Sequence, residues 1–173
     1  MTATVQPKMT STTAYHEAGH VVAAWVQGIG VGSATVVRNG DIAGSVTLAQ
    51  ANQRIRVGLD GAGAWKLRMR VEKEIIVCVS GPLAQRKFSP RSMRRWHGAG
   101  DYEAAVNWAS SVCGSGKQIG AFITWLETRA ETLLDHRWPA VCAVAEGLMR
   151  SGTLSQTEIE VLLARPTLVG QDD

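Results

Sequence analysis

The densest chemistry in the sequence is His16-Glu17-Ala18-Gly19-His20, an H-E-x-x-H pattern. On an α-helix, side chains four residues apart lie one above the other, so both imidazoles project from one face and can grip one metal ion. The glutamate beside the first histidine is then placed to take a proton from a water that the metal polarises. With four histidines and nine glutamates in 173 residues, chance would supply such a pattern only about 0.005 times. The competing reading is an ordinary solvated or core histidine pair. Against it, the pattern falls inside a capped, amphipathic helical stretch.

Two histidines leave a zinc ion short of a protein ligand. The metzincin extension needs glycine at 23 and histidine at 26, where this chain has Ala23 and Val26. A thermolysin-like arrangement wants a glutamate about twenty residues downstream, but the first acid after Glu17 is Asp41, within a turn signal. Asp60, Glu72, Glu74, Asp101 and Glu103 stay open as the third ligand. Asp101 stands out because it follows the glycine-rich Gly98-Ala99-Gly100 and opens a helical pattern, where the helix dipole favours a carboxylate. A simple N-cap would explain that position equally well.

These residues need a scaffold, and the pattern supplies mostly helices. Residues 1–11 read as a flexible N-terminal leader. Thr12 or Thr13 caps a helix to about Gln27, which Gly28 and Gly30 end. Ser33 to Val37 and Ile42 to Leu48 are β-type runs around Asn39-Gly40, a hairpin signal. Residues 49–63 and 88–100 read as loops. Between them a long helix over 65–87 should kink or break at Gly81-Pro82. Further helices are expected over 101–113, with Ala105, Trp108, Ala109 and Val112 on one face, and over 118–136, burying Phe122, Trp125, Leu126, Leu133 and Leu134. Pro139 opens another, running to Arg150. Ser155 and Glu158 form a capping box for a last helix that Pro166 ends. The expected fold is mainly α with one small β-hairpin. It forms a single domain, with 12–113 holding the chemistry and 114–173 a C-terminal helical part.

Composition narrows the partners. The chain is 45% hydrophobic and 19% charged, which excludes a disordered protein. Net charge is +3, yet residues 54–95 carry eleven Lys/Arg against three Asp/Glu. That excess reads as a solvated helix face and loop before it reads as a surface for nucleic acid or acidic lipid. Cys78, Cys113 and Cys142 have no C-x-x-C spacing, which argues against disulfides and a cysteine zinc site. With no signal-like or bilayer-length apolar run, a cytoplasmic setting is expected. Gly114-Ser115-Gly116-Lys117 is followed by Gln118, not Ser or Thr, so it reads as an inter-helix loop and no ATP site.

Thr13-Ala14-Tyr15-His16-Glu17-Ala18-Gly19-His20 resembles the start of the peptidase domain of the FtsH-type, AAA-linked zinc metalloproteases. The likeness extends through the hairpin, Ser80-Gly81-Pro82-Leu83-Ala84, the Gly-Ala-Gly-Asp stretch at 98–101 and Gly152-Thr153-Leu154-Ser155, roughly residues 12–165. The resemblance implies a helical zincin-like domain in which His16, His20 and Asp101 hold Zn2+ and Glu17 is the catalytic base. It also implies an endopeptidase acting on an extended polypeptide beside a strand near the zinc, residues 43–48. The ATPase module is absent, so cleavage would be ATP-independent and limited to unfolded or flexible chains. A homo-oligomer or a separate ATPase partner stays open, and so does a silent zinc-binding regulatory protein that holds a partner through 54–95.

Overall fold

Helix α1 (Ser11–Val26) carries the H-E-x-x-H residues through the middle of the fold, in a computed structural model that describes residues 11–40, 43–48, 63–92 and 98–164. Ala14, Ala18, Val21, Val22, Ala23 and Ala24 are fully buried, more than one stripe, as a helix enclosed on several sides requires. The helix starts at Ser11, just ahead of the expected cap. Its end is a Schellman motif: Ile29 N–H donates to the Ala24 carbonyl and Gly28 N–H to that of Trp25. Gly28 sits at φ +72°, where glycine carries no steric penalty.

The described residues form six α-helices and one three-stranded antiparallel sheet, so the chain is mainly α as its pattern predicts. Helix α2 (Ala64–Phe88) crosses α1, and α3 (Ala99–Ala109) and α4 (Gly116–His136) pack against α2. Helix α5 (Trp138–Ser151) closes on the other side of α1, and α6 (Gln156–Leu163) follows it. The expected capping box is present: the Ser155 hydroxyl accepts from the Glu158 N–H, and the Glu158 carboxylate accepts from the Ser155 N–H. Ser115 caps α4 through its hydroxyl, so the inter-helix turn ends there, and Gly116 and Lys117, expected in the loop, open the helix. Residues 1–10 of the expected leader, the turn residues 41–42, residues 49–62, residues 93–97 and Pro166 lie outside the described residues, while Ser11 already belongs to α1.

Four expectations are corrected, the burial of Trp125 among them. First, the sheet has a third strand: β1 (Val31–Thr35) lies between β2 (Ser45–Leu48) and β3 (Thr153–Ser155). Strand β1 ends at Thr35, short of Val37, because the next amides turn elsewhere. Val36 N–H donates to the Gly152 carbonyl and Val37 N–H to the Thr35 hydroxyl. Second, α3 begins at Ala99 and stops at Ala109, with the Ser110 and Ser111 hydroxyls bonding to the Val106 and Trp108 carbonyls. Side chains of this kind compete with the helical ladder. Trp125 is 47% exposed, its face covered by the Arg129 guanidinium.

The fourth correction concerns Gly81-Pro82, which sits inside an unbroken α2. Both residues are docking points. A Cβ at Gly81 would stand 2.6 Å from His20 Cε1 and closer still to Nε2. A Cβ at Gly98 would meet Pro82 Cγ at 2.7 Å, so the proline ring seats the start of α3. Gly19 completes the crossing, since a Cβ there would collide with the Ser80 carbonyl. Gly81→Ala should therefore cost roughly 1–3 kcal/mol by overpacking and displace the His20 imidazole. Gly100, with open space around it, is the control. Thermal melts with a metal titration should show Gly81→Ala impaired in both and Gly100→Ala close to the parent.

Four of the basic residues in the middle of the chain are ion-paired within the fold. Arg86 pairs with Glu131, Lys87 with Asp135 and Arg70 with Glu74, while Arg68 and Arg129 share Glu72. Several of these pairs join α2 to α4. No helix among the described residues is long and apolar enough to cross a membrane.

Candidate metal centre

His16 and His20 stand one turn apart on α1, with their Nε2 atoms 3.1 Å from each other. Asp101 reaches them from α3: Oδ2 lies 3.1 Å from His16 Nε2 and Oδ1 lies 3.4 Å from His20 Nε2. Roughly eighty residues of chain separate α1 from Asp101, and the α1–α2–α3 stack closes the gap. All three ligand atoms lie within 4.8 Å of one another.

The other ring nitrogens fix the tautomers. His20 Nδ1 is 2.8 Å from the Val77 carbonyl oxygen, and His16 Nδ1 is 3.1 Å from Gln85 Oε1. Both partners are acceptors, so each Nδ1 carries the proton and each Nε2 presents a lone pair. Two lone pairs and a carboxylate then aim at one point. Such a set repels itself until a cation, or a shared proton, lies between its members. Imidazoles anchored through Nδ1–H to oxygen acceptors are the usual support of a metal site. Two imidazole nitrogens and one carboxylate oxygen make a donor set for a divalent metal ion.

Electrostatics follows the same geometry. Burial would raise the Asp101 carboxyl, but once a proton is shared with the His16 and His20 imidazoles, their hydrogen bonds and charge hold it well below the usual range. Burial would lower His20, and Asp101, Glu17 and the Val77 carbonyl outweigh it and raise the imidazole. Glu17 is buried, and burial pushes its carboxyl up against the lowering effect of both histidines. It sits beside Gly44, where a Cβ would stand 2.7 Å from Glu17 Oε1. A carboxyl whose pKa is raised by burial is a stronger base, once ionised, than an exposed one.

The rival third ligands resolve differently. Glu72 and Glu74 are engaged by arginines, Glu103 is exposed, and Asp60 lies outside the described residues. The Cys78 thiol, pushed up to about 12 chiefly by burial, stays protonated. Asp101 is not the N-cap. Gly98 occupies that position at φ +78° without a side-chain cap, which makes Asp101 the third residue of α3.

Sequence reasoning missed Gln85, the Val77 carbonyl and the close approach of Gly44. The one available signal was Gly81: glycine inside a helix costs about 1 kcal/mol against alanine, so its presence asks for a packing reason. Gln85→Leu removes the acceptor that orients His16 and should weaken metal affinity roughly 10–100-fold. Competition against a chromophoric chelator measures this, and parental affinity in the variant would remove Gln85 from the support of the centre. No protein-family model matches the sequence, and no curated protein matches it.

Proposed function

We propose that the chain is a zinc-dependent endopeptidase, akin to the peptidase part of the FtsH-type metalloproteases, that cleaves unfolded or flexible polypeptides without ATP. The observation that carries this reading is the meeting of His16, His20 and Asp101 beside a buried Glu17 on the same helix. Zinc held by these three residues would supply Lewis-acid polarisation of a water and of a scissile carbonyl. Glu17 takes the proton of the attacking water and returns it to the leaving amine. A purely structural site closes all four positions with protein ligands and has no use for a base.

The substrate path follows from the sheet. Strand β2 is an outer strand in the order β2-β1-β3, and Gly44, just before it, touches Glu17. An extended chain pairing with that edge by main-chain hydrogen bonds passes the base, with tolerance for its side chains. The three cysteines are unpaired, in keeping with a reducing, cytoplasmic setting.

The test uses one stable protein in two forms, folded and permanently unfolded, incubated without ATP. The unfolded form should be cut and the folded form spared. A strong chelator should stop cleavage, and added Zn2+ should restore it. Equal digestion of both forms would overturn the substrate class. Cleavage indifferent to the chelator would overturn the metal mechanism.

A further inference from the structure

A second feature lies away from the metal centre, between the end of α1, the middle of α2 and the last turns of α4. It is a cleft of about 330 Å³ whose floor is formed by Val26, Ile76 and Leu133 and whose rim holds Arg129, His136 and Arg137. Among the described residues no carboxylate lines it. The acids Glu131 and Asp135 of α4 are paired with Arg86 and Lys87 instead. Glu72, outside the cleft, serves two guanidiniums at once, Arg68 and Arg129. Arg137 has no ion pair among the described residues and lies over the face of Trp25, 5.9 Å from the ring centroid. The cleft therefore carries unbalanced positive charge.

Trp25 and Trp125 stand 41% and 47% exposed, and each bears one of the two rim arginines on its ring. Trp125, Arg129, Thr132 and His136 follow a helical spacing that puts them on one face of α4. Half-exposed tryptophans beside arginines, around an apolar depression, have the composition that carries binding energy at protein interfaces. The depression is large enough for an apolar side chain, and the rim supplies charge for acids on either side of it.

We infer that this cleft is a docking site for an acidic peptide segment of a partner protein, one apolar residue seated on Ile76 and Leu133 with flanking carboxylates on Arg129 and Arg137. The inference does not depend on the proposed protease activity.

The test is an array of short peptides in which Leu, Ile, Phe or Trp is flanked by aspartate and glutamate, each with a lysine-flanked twin, followed by fluorescence anisotropy on the best member. Acidic peptides should bind and their twins should not, with affinity falling as salt is raised. Arg137→Glu should weaken binding roughly tenfold or more, with an unchanged melting temperature. Arg137→Gln, should the reversal disturb the α4–α5 junction, ought to weaken binding in the same direction. Chelation of metal should leave binding intact. Failure of every acidic peptide, parental affinity in both Arg137→Glu and Arg137→Gln, or loss of binding on chelation would each overturn the proposal. Self-association of the parent that Arg137→Glu abolishes would assign the cleft to a second copy and overturn it too.

Discussion

Glu17→Gln should keep the metal stoichiometry of the parent and lose cleavage of an unfolded substrate by at least roughly 10²–10⁴-fold, the contribution typical of a general base. Glutamine matches glutamate in shape, so the tight space against Gly44 and Thr13 is filled as before. His16, His20 and Asp101 are untouched. Burial already disfavours the charge on Glu17, so exchanging it for an amide should not lower the melting temperature of the metal-free protein. Those two controls, metal content and thermal stability, separate loss of the base from loss of the centre. Parental cleavage by the variant would show that Glu17 is not the base. A variant that had lost its metal would leave the role of Glu17 to be read from Glu17→Asp, which keeps a carboxylate but draws it back from the attacking water.

Part of this centre was legible in the sequence because it is local. The spacing of His16 and His20 needs only the helical period, and the capping box of Ser155 and Glu158 needs only its own first turn. What escaped was set by packing between distant segments. Strand β3 is three residues long, too short to show an alternating pattern, and it exists because β1, more than a hundred residues earlier, lies beside it. Gly81-Pro82 reads locally as a break. Its real role depends on where α1 and α3 cross α2, and the same crossing puts the Val77 carbonyl and Gln85 behind the histidines. Trp125 was assigned to the core by its helical face, but Arg129 covers the ring from outside. A cation over an aromatic face offsets some of the cost of leaving it exposed.

The other large effect is expected at Asp101, where the sequence left a cap and a ligand in competition. With Gly98 as the N-cap, a capping role no longer explains Asp101. What remains on the structural side is a carboxylate in the first turn of α3, worth about 0.3–1 kcal/mol against the helix dipole. On the other side, both of its oxygens face histidine Nε2 atoms, at 3.1 and 3.4 Å. Asp101→Asn should therefore lower stability only slightly, because the amide can donate to an imidazole Nε2 and hold the three side chains together. Metal affinity should fall by more than the 10–100-fold typical of a supporting residue, and cleavage should fall with it. Asp101→Ala should lose the metal as well, without the bridging amide. Equilibrium dialysis for metal content, alongside thermal melts, distinguishes the cases. An Asn variant with full metal content and activity would show that Asp101 is not a ligand. Glu72 and Glu74 are already held by arginines, so the search would then move to Asp60.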